Sequence, residues 1–524
     1  MVLPPGMDQA DFNKAAEAFR RIVGDQWVFL GDQLTGYEDP FPVTSKESSR
    51  ASIAVAPENV EQVQAVLKAA NEFKFPLWPI STGRNIVFGG ASPAMTGTGI
   101  LDLKRMNRIL EVNEENGYAL VEPGVSYFDL YNHLQENNIN LWIDSPSPGW
   151  GSPMGNTLER GMGYTPYGDH LMMQCGMEVV LPDGDVVRTG MGGVPDSKMW
   201  QLFKYGFGPY VDGMFTQASY GVVTKMGVWL MPKPPGYRPY MVTFEREDDL
   251  EQIIDIIRPL RLSTLIPNAA VLCNNLLDLA ITTTRDEIYT GKGPIPPSVH
   301  KKINAEHKLG MWNFFGGLYG PPDMMEVQWK YIRDAFSQVK GAKFYGADDR
   351  KGDPAFEYRA QAMQGIPHLT EFSVLNWYGP GGGHIDLTLL SPVTGKDAVT
   401  QYQMQREYGE KVGYDYLGEF IVGWRDMHHI NFMIFNHTDE EDRKRVYDLY
   451  ERLTIDSGKL GYAAYRAHTK FQNLVRDQFA YNDYAMNRLQ MKLKETLDPN
   501  GIMAPGKAGL WPEQYKQFGK GRIS

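Results

Sequence analysis

Residues 51–90 read ASIAVAPENVEQVQAVLKAANEFKFPLWPISTGRNIVFGG. Residues 51–57 alternate in hydrophobicity as a strand does. Pro57 stands where a helix can begin, and Val60, Val63, Leu67 and Ala70 form an apolar stripe behind it. Leu77 to Ile80 reads as a second short strand. The spacing predicts a β-α-β unit over 51–80 that runs straight into Ser81-Thr82-Gly83-Arg84-Asn85, with Gly89 and Gly90 close behind. Small residues after a strand let successive backbone N–H groups converge on an anion, and a hydroxyl and a guanidinium add donors. A pyrophosphate suits such a loop; a glycine-rich surface turn has the same composition.

Working outward, Phe12, Ala15, Phe19, Ile22 and Val23 recur at helical spacing after Asp8, a candidate N-cap. Strands are expected over 100–103 and 118–124, and a helix over 126–136. MEVVLPDGDVVRT (177–189) reads as a hairpin turning at Asp183-Gly184. Residues 221–231 read as another strand pair. PKPPGYRP (232–239) interrupts any regular element and marks a boundary. A helix–strand mixture follows to about 463. The stretch 464–524 carries its own punctuation in LDPNGIMAPGKAG. The fold class is α+β.

The chain has 524 residues, too many for one ordinary core. Lys and Arg number 52 against 63 Asp and Glu, a formal charge of −11. That balance argues against a nucleic-acid partner, which needs a basic face, and against docking on an anionic membrane. Cys175 and Cys273 are the only cysteines. They exclude a disulfide framework and a four-sulfur metal site, and point to a reducing compartment. The first residues lack the basic-then-apolar pattern of a secretory signal, and no apolar run reaches the 18 residues of a membrane span, so a cytoplasmic location is expected.

Four further features carry chemistry. Gly149 to Thr157 alternates small residues, so backbone there can approach a flat ligand closely. Gly381-Gly382-Gly383 precedes His384, whose imidazole is a structural residue, a nucleophile or a covalent attachment point. Tyr465-Arg466 pairs a phenol donor with a permanent cation, suited to an anionic oxygen; on a regular strand the two side chains diverge. His428-His429 with Asp426 resembles a metal cluster, but consecutive histidines on a strand diverge too, and no metal site is expected. No G-x-G-x-x-G, phosphate-loop or G-x-S-x-G motif occurs.

Taken in order, PISTGRN, LDLKRMNRILEVNEENGYALVEPG, GNTLERGMGYTPYGDH, VVLPDGDVVRTGMGGVP, GFGPYVDGMFTQASYG, TKMGVWLMPKPP and LDPNGIMAPGKAGLWP closely resemble the para-phenol oxidase branch of the vanillyl-alcohol oxidase / p-cresol methylhydroxylase flavoprotein family. The resemblance runs from about residue 4 to 515. It implies a two-domain FAD-binding fold: residues 1–237 as the first part of an FAD domain, 238–463 as a cap over the flavin, and 464–524 returning to the FAD domain. It implies that Ser81, Thr82, Gly83, Arg84 and Asn85 hold the pyrophosphate. Glu122 to Val125, Gly155, Asn156, Thr157 and the stretch around Val223 line the rest, and Lys507 stands near flavin N1 and C2=O. His384 matches the position of 8α-histidyl attachment, and Leu375 stands where p-cresol methylhydroxylase has its tyrosyl link. Tyr465 and Arg466 match the phenolate clamp, and Tyr164 and Ile421 match pocket-lining positions.

The implied activity is oxidation of para-substituted phenols, such as 4-alkylphenols and 4-hydroxybenzyl alcohols. A benzylic hydride goes to flavin N5 through a p-quinone methide, with O2 as acceptor. A homodimer is implied. The alternative is the same half-reaction with electrons passed to a cytochrome c. Three departures stand out. Phe88 replaces the clamp's third residue, a Tyr. Ser147 stands where the family's oxidases carry an Asp near N5, so no carboxylate base is expected from that position. The helper histidine that activates the flavin-linking histidine in one fungal relative has no counterpart, because the first histidine of this chain is His133.

Overall fold

The structure is a computed structural model and describes residues 2–519; residues 520–524 of the C-terminal segment lie outside the described residues. The β-α-β unit is present with altered bounds. Its first strand is only Ala54–Val55. The helix runs Val60–Phe73 and is capped by the Asn59 side chain, which accepts from the Gln62 N–H. Pro57 therefore precedes the helix without opening it. An Asn side chain satisfies an orphan N–H that a proline ring cannot. Leu77–Ile80 forms a strand as expected, but Gly99–Asp102 lies between it and Ala54–Val55, parallel to both. Val28–Phe29 completes this sheet. The first helix, Gln9–Val23, is capped by Asp8 and packs its apolar face on Val63, Leu67 and Phe75.

A second, antiparallel sheet runs in the order 109–113, 118–121, 222–229, 174–180, 186–188. Gly184 turns the last hairpin at φ +89°. The expected pair over 221–231 is mainly one long strand, Val222–Trp229. Gly227 within it answers a close approach: a Cβ there would run into the Cys175 carbonyl.

The largest sheet is antiparallel and draws its strands from residues 237–464. Strand alternation divides its two faces. Val242, Phe244, Leu272, Phe314, Phe420, Val422 and Met427 form one core, covered by helices Leu250–Leu262, Pro322–Phe336 and Gly395–Lys411. Met241, Val271, Cys273, Phe315 and Ile421 form the core on the opposite face. Glu419 has the parity of Ile421. The same alternation separates the histidine pair: His429 stacks on Phe420 at 4.1 Å in the first core, while His428 meets Tyr465 edge-on at 4.9 Å.

The chain then returns. Leu77 donates to Ile502 O and accepts from Ala504 N–H, both at 2.7 Å. Lys494 is fully buried and pins this return, donating to Ser219 O at 2.9 Å, Asp498 Oδ2 at 2.6 Å and Met503 O at 2.5 Å. Among the described residues no helix is long and apolar enough to cross a membrane.

Candidate active site

A cleft opens at the end of strand Leu77–Ile80. Its walls include Ser81, Thr82, Gly83, Arg84, Asn85, Phe88, Gly155, Asn156, Val223, Arg466 and Lys507. Eleven residues singled out from sequence thus converge from five separate stretches. Gly83 sits at φ +69° and Gly89 at φ +101°, where a Cβ on Gly89 would strike Thr469 of the returning segment. Among the described residues, no backbone N–H of residues 81–85 donates to a protein acceptor. Gly155 packs so tightly on the Ser81 side chain that a Cβ there would collide with its hydroxyl. Unpartnered amide donors on a loop that follows a strand, walled by backbone without side chains, are the donor set a dinucleotide pyrophosphate requires. The residues present fit FAD.

Other parts of this wall hold each other. Asn156 Oδ1 lies 2.5 Å from His170 Nδ1, and His170 Nε2 lies 2.8 Å from Asp144 Oδ1. Lys507 is ion-paired with Glu159. Thr157 is buried and does not line the cleft. Of the segment 122–125, Pro123 faces the cleft, whereas the Glu122 carboxylate takes Arg108 at 2.6 Å.

Tyr465 and Arg466 follow the edge strand Ala463–Ala464 and occupy a bend. The bend removes the divergence that a regular strand imposes, and the guanidinium lies 5.3 Å from the Tyr465 ring centroid. It also lies 4.4 Å over the Phe88 ring. Arg466 Nε is buried without a hydrogen-bond partner. Burial pushes the Tyr465 phenol up, and the Arg466 charge pulls it back.

Beyond this pair lies a buried acidic group that sequence patterns did not expose. Ser147 is fully buried at φ +83°, an unusual backbone state for a residue with a side chain. Its Oγ lies 3.5 Å from His368 Nδ1, and His368 Nε2–H donates to Tyr358 O at 3.0 Å. Close by, the Glu371 carboxyl is pushed up to about 8 by burial, then by the charges of Glu419 and Asp386, against the pull of Arg359 and of the Ser147 hydroxyl. Arg359 donates to Glu419 Oε2 at 3.2 Å and lies 3.3 Å from Asp278 Oδ1. Burial pushes Asp278 up to about 7, against the pull of Arg359. Tyr164 is raised by burial beside Glu419 and Glu371, and Ile421 packs in the same core. Thus a carboxyl does stand beside Ser147, supplied by residue 371.

His384 lies outside the cleft wall, on the strand Gly382–Pro392 that pairs with Ala463–Ala464. It is 2% exposed. The glycines before it serve packing: a Cβ on Gly382 would collide with the Leu375 carbonyl, and one on Gly383 would stand 2.9 Å from His437 Cβ.

The model of an FAD binding domain matches residues 51–190, and that of the C-terminal domain of FAD linked oxidases matches 391–508. The 4-cresol dehydrogenase (hydroxylating) flavoprotein subunit of Pseudomonas putida is 44% identical over 97% of this chain and 98% of its own length. The chain belongs to the vanillyl-alcohol oxidase / p-cresol methylhydroxylase flavoprotein family. As a member of this family it is an FAD-linked oxidoreductase with the two-domain FAD-binding fold. Two solved structures superpose over nearly the whole chain. Substrate-bound p-cresol methylhydroxylase has 43% identity and a TM-score of 0.95, covering 98% of this chain and 99% of its own. 4-Ethylphenol oxidase from Gulosibacter chungangensis, in complex with isoeugenol, has 38% identity with the same score and coverage.

Proposed function

We propose that this protein oxidises para-alkylated phenols and 4-hydroxybenzyl alcohols, with dioxygen as the electron acceptor. The observation that carries the reading is the Tyr465-Arg466 bend, where a guanidinium in the cleft wall, with a buried and unpartnered Nε, sits beside a half-buried phenol. A substrate hydroxyl placed there is favoured as phenolate, well below its usual pKa of about 10. A phenolate pushes electrons to its para carbon, so the benzylic C–H departs as hydride and leaves a p-quinone methide. Bound FAD supplies the hydride acceptor at N5.

The chain's own groups govern the next step. With its pKa pushed up to about 8 by burial, Glu371 is mainly a neutral acid near pH 7 and a poor base toward water. Above about pH 8 it becomes a carboxylate able to activate water at the benzylic carbon. Lys507 stands in the cleft wall, and its cation favours negative charge on the bound ring system. His384 is the residue we assign to covalent flavin attachment. Residues 1–237 and 464–524 form the cofactor half and 238–463 the cap. A homodimer in the cytoplasm is the state proposed for the protein; the two buried free cysteines fit a reducing compartment.

A second reading passes the electrons to a c-type cytochrome. Ser147 in place of Asp favours it, as does the description of the P. putida relative as a subunit. One experiment tests both. The flavin is reduced anaerobically with 4-ethylphenol and then mixed with air or with oxidised cytochrome c. Rapid return of the oxidised spectrum in air supports the oxidase; return only with cytochrome supports the second reading. A flavin that 4-ethylphenol leaves oxidised removes the phenol assignment.

A further inference from the structure

We propose that Asp386 is the positioning residue that readies His384 for bonding to the flavin. The inference rests on the attachment assigned to His384 above and adds the group that makes the imidazole reactive. The two residues are two apart on one strand, so their side chains share a face. His384 Nε2 lies 2.6 Å from Asp386 Oδ1, with His384 2% and Asp386 9% exposed. The imidazole is stacked on Phe432, 4.9 Å between centroids at 15°. Phe432 is the cross-strand neighbour of Asp386, so a single pair of strands fixes the ring's plane and its polar partner.

A carboxylate accepting the Nε2–H holds the neutral tautomer whose lone pair is on Nδ1. Among the described residues, Nδ1 has no hydrogen-bond partner. When that lone pair forms a bond, the ring gains positive charge, and the buried carboxylate stabilises it. The Nδ1–C8α bond forms and one C8α–H bond breaks. The two electrons of that bond pass through the isoalloxazine to dioxygen. The C8α proton and the imidazole proton, the latter by way of Asp386, complete hydrogen peroxide. Asp386 therefore supplies the partner of His384 from the same strand.

The test uses the full chain, made in riboflavin-starved cells and incubated with FAD in air. Acid-stable flavin is followed against time, and uptake of FAD is followed separately by quenching of tryptophan fluorescence. Asp386→Asn is expected to take up FAD as the native protein does but to form the acid-stable bond at least about tenfold more slowly, with Asp386→Glu recovering part of the rate. His384→Ala is expected to take up FAD and form none. Acid-stable flavin in His384→Ala would overturn the attachment assignment and this proposal with it. Loss of the bond in His384→Ala with a native rate in Asp386→Asn would overturn the role of Asp386 alone. If Asp386→Asn does not accumulate as folded protein, Asp386→Ser gives the same comparison.

Discussion

The Arg466 guanidinium lies 4.4 Å above the ring of Phe88, a residue that is 4% exposed. A cation over an aromatic face is attracted by the ring's quadrupole, so Phe88 orients Arg466 although it offers the substrate no hydrogen bond. Phe88→Tyr adds a hydroxyl to the ring beneath the guanidinium. It is expected to strengthen phenolate binding by about 1 kcal/mol, roughly fivefold in the apparent affinity for 4-ethylphenol. Stopped-flow reduction at varied substrate concentration measures it; an unchanged affinity would place the Phe88 para position out of reach of the substrate oxygen.

Arg466 itself is tested by two substitutions. Arg466→Ala removes a charge-assisted bond of about 1.5–3 kcal/mol and is expected to slow flavin reduction roughly ten- to a hundredfold. Arg466→Lys is expected to recover only part of this, because an ammonium lacks the fixed planar fork. The same stopped-flow assay decides, and native reduction rates in Arg466→Ala would remove the residue from the mechanism.

Glu371 gives the product ratio a pH dependence. The alcohol share formed from 4-ethylphenol, relative to 4-vinylphenol, is expected to rise with pH around a midpoint near 8, where Glu371 ionises. Glu371→Gln should flatten that rise. Ser147→Asp should move the midpoint upward, because a second carboxylate beside the first opposes its ionisation. Chromatographic product ratios between pH 6 and 9 check all three forms; parallel curves would assign control of the ratio to another group.

His429 sets an acid limit on stability. Burial pushes it down from 6.5 to about 3, so the folded protein keeps it neutral where the unfolded chain protonates it. Its contribution is present above pH 6.5 and is lost as the pH falls from 6.5 toward 3. His429→Gln cannot protonate. Its urea midpoint is expected to change less between pH 7 and 4.5 than the native one, by roughly 1–3 kcal/mol of unfolding free energy. Equal changes in the two proteins would refute this.

Local elements were legible where composition and boundary agreed. Leu77 to Ile80 is apolar, follows Pro76 and ends at Ser-Thr-Gly, and it is a strand over those residues. The stretch 221–231, expected as a strand pair, is mainly the one strand Val222–Trp229, where Gly227 answers a carbonyl distant in sequence. The convergence of Tyr465 and Arg466 depends on a two-residue bend that no periodicity announces. Glu371 lies in the 3-10 segment Thr370–Asn376, and its chemistry comes from burial and from charges contributed by other strands. A sequence pattern records neighbours along the chain, whereas a shifted carboxyl records neighbours in space.

The strand that leads into the phosphate loop is completed on one side by Ile502 and Ala504. In a nascent chain that strand therefore waits, its edge unzipped, until residue 504 has left the ribosome. The strand is therefore secured late, and a chain clipped before residue 502 keeps the 81–85 loop but loses both hydrogen bonds at the strand's first residue. Cleavage between the Lys494 pin and Ala504 thus removes a strut from beneath the 81–85 loop without touching one of the loop's residues.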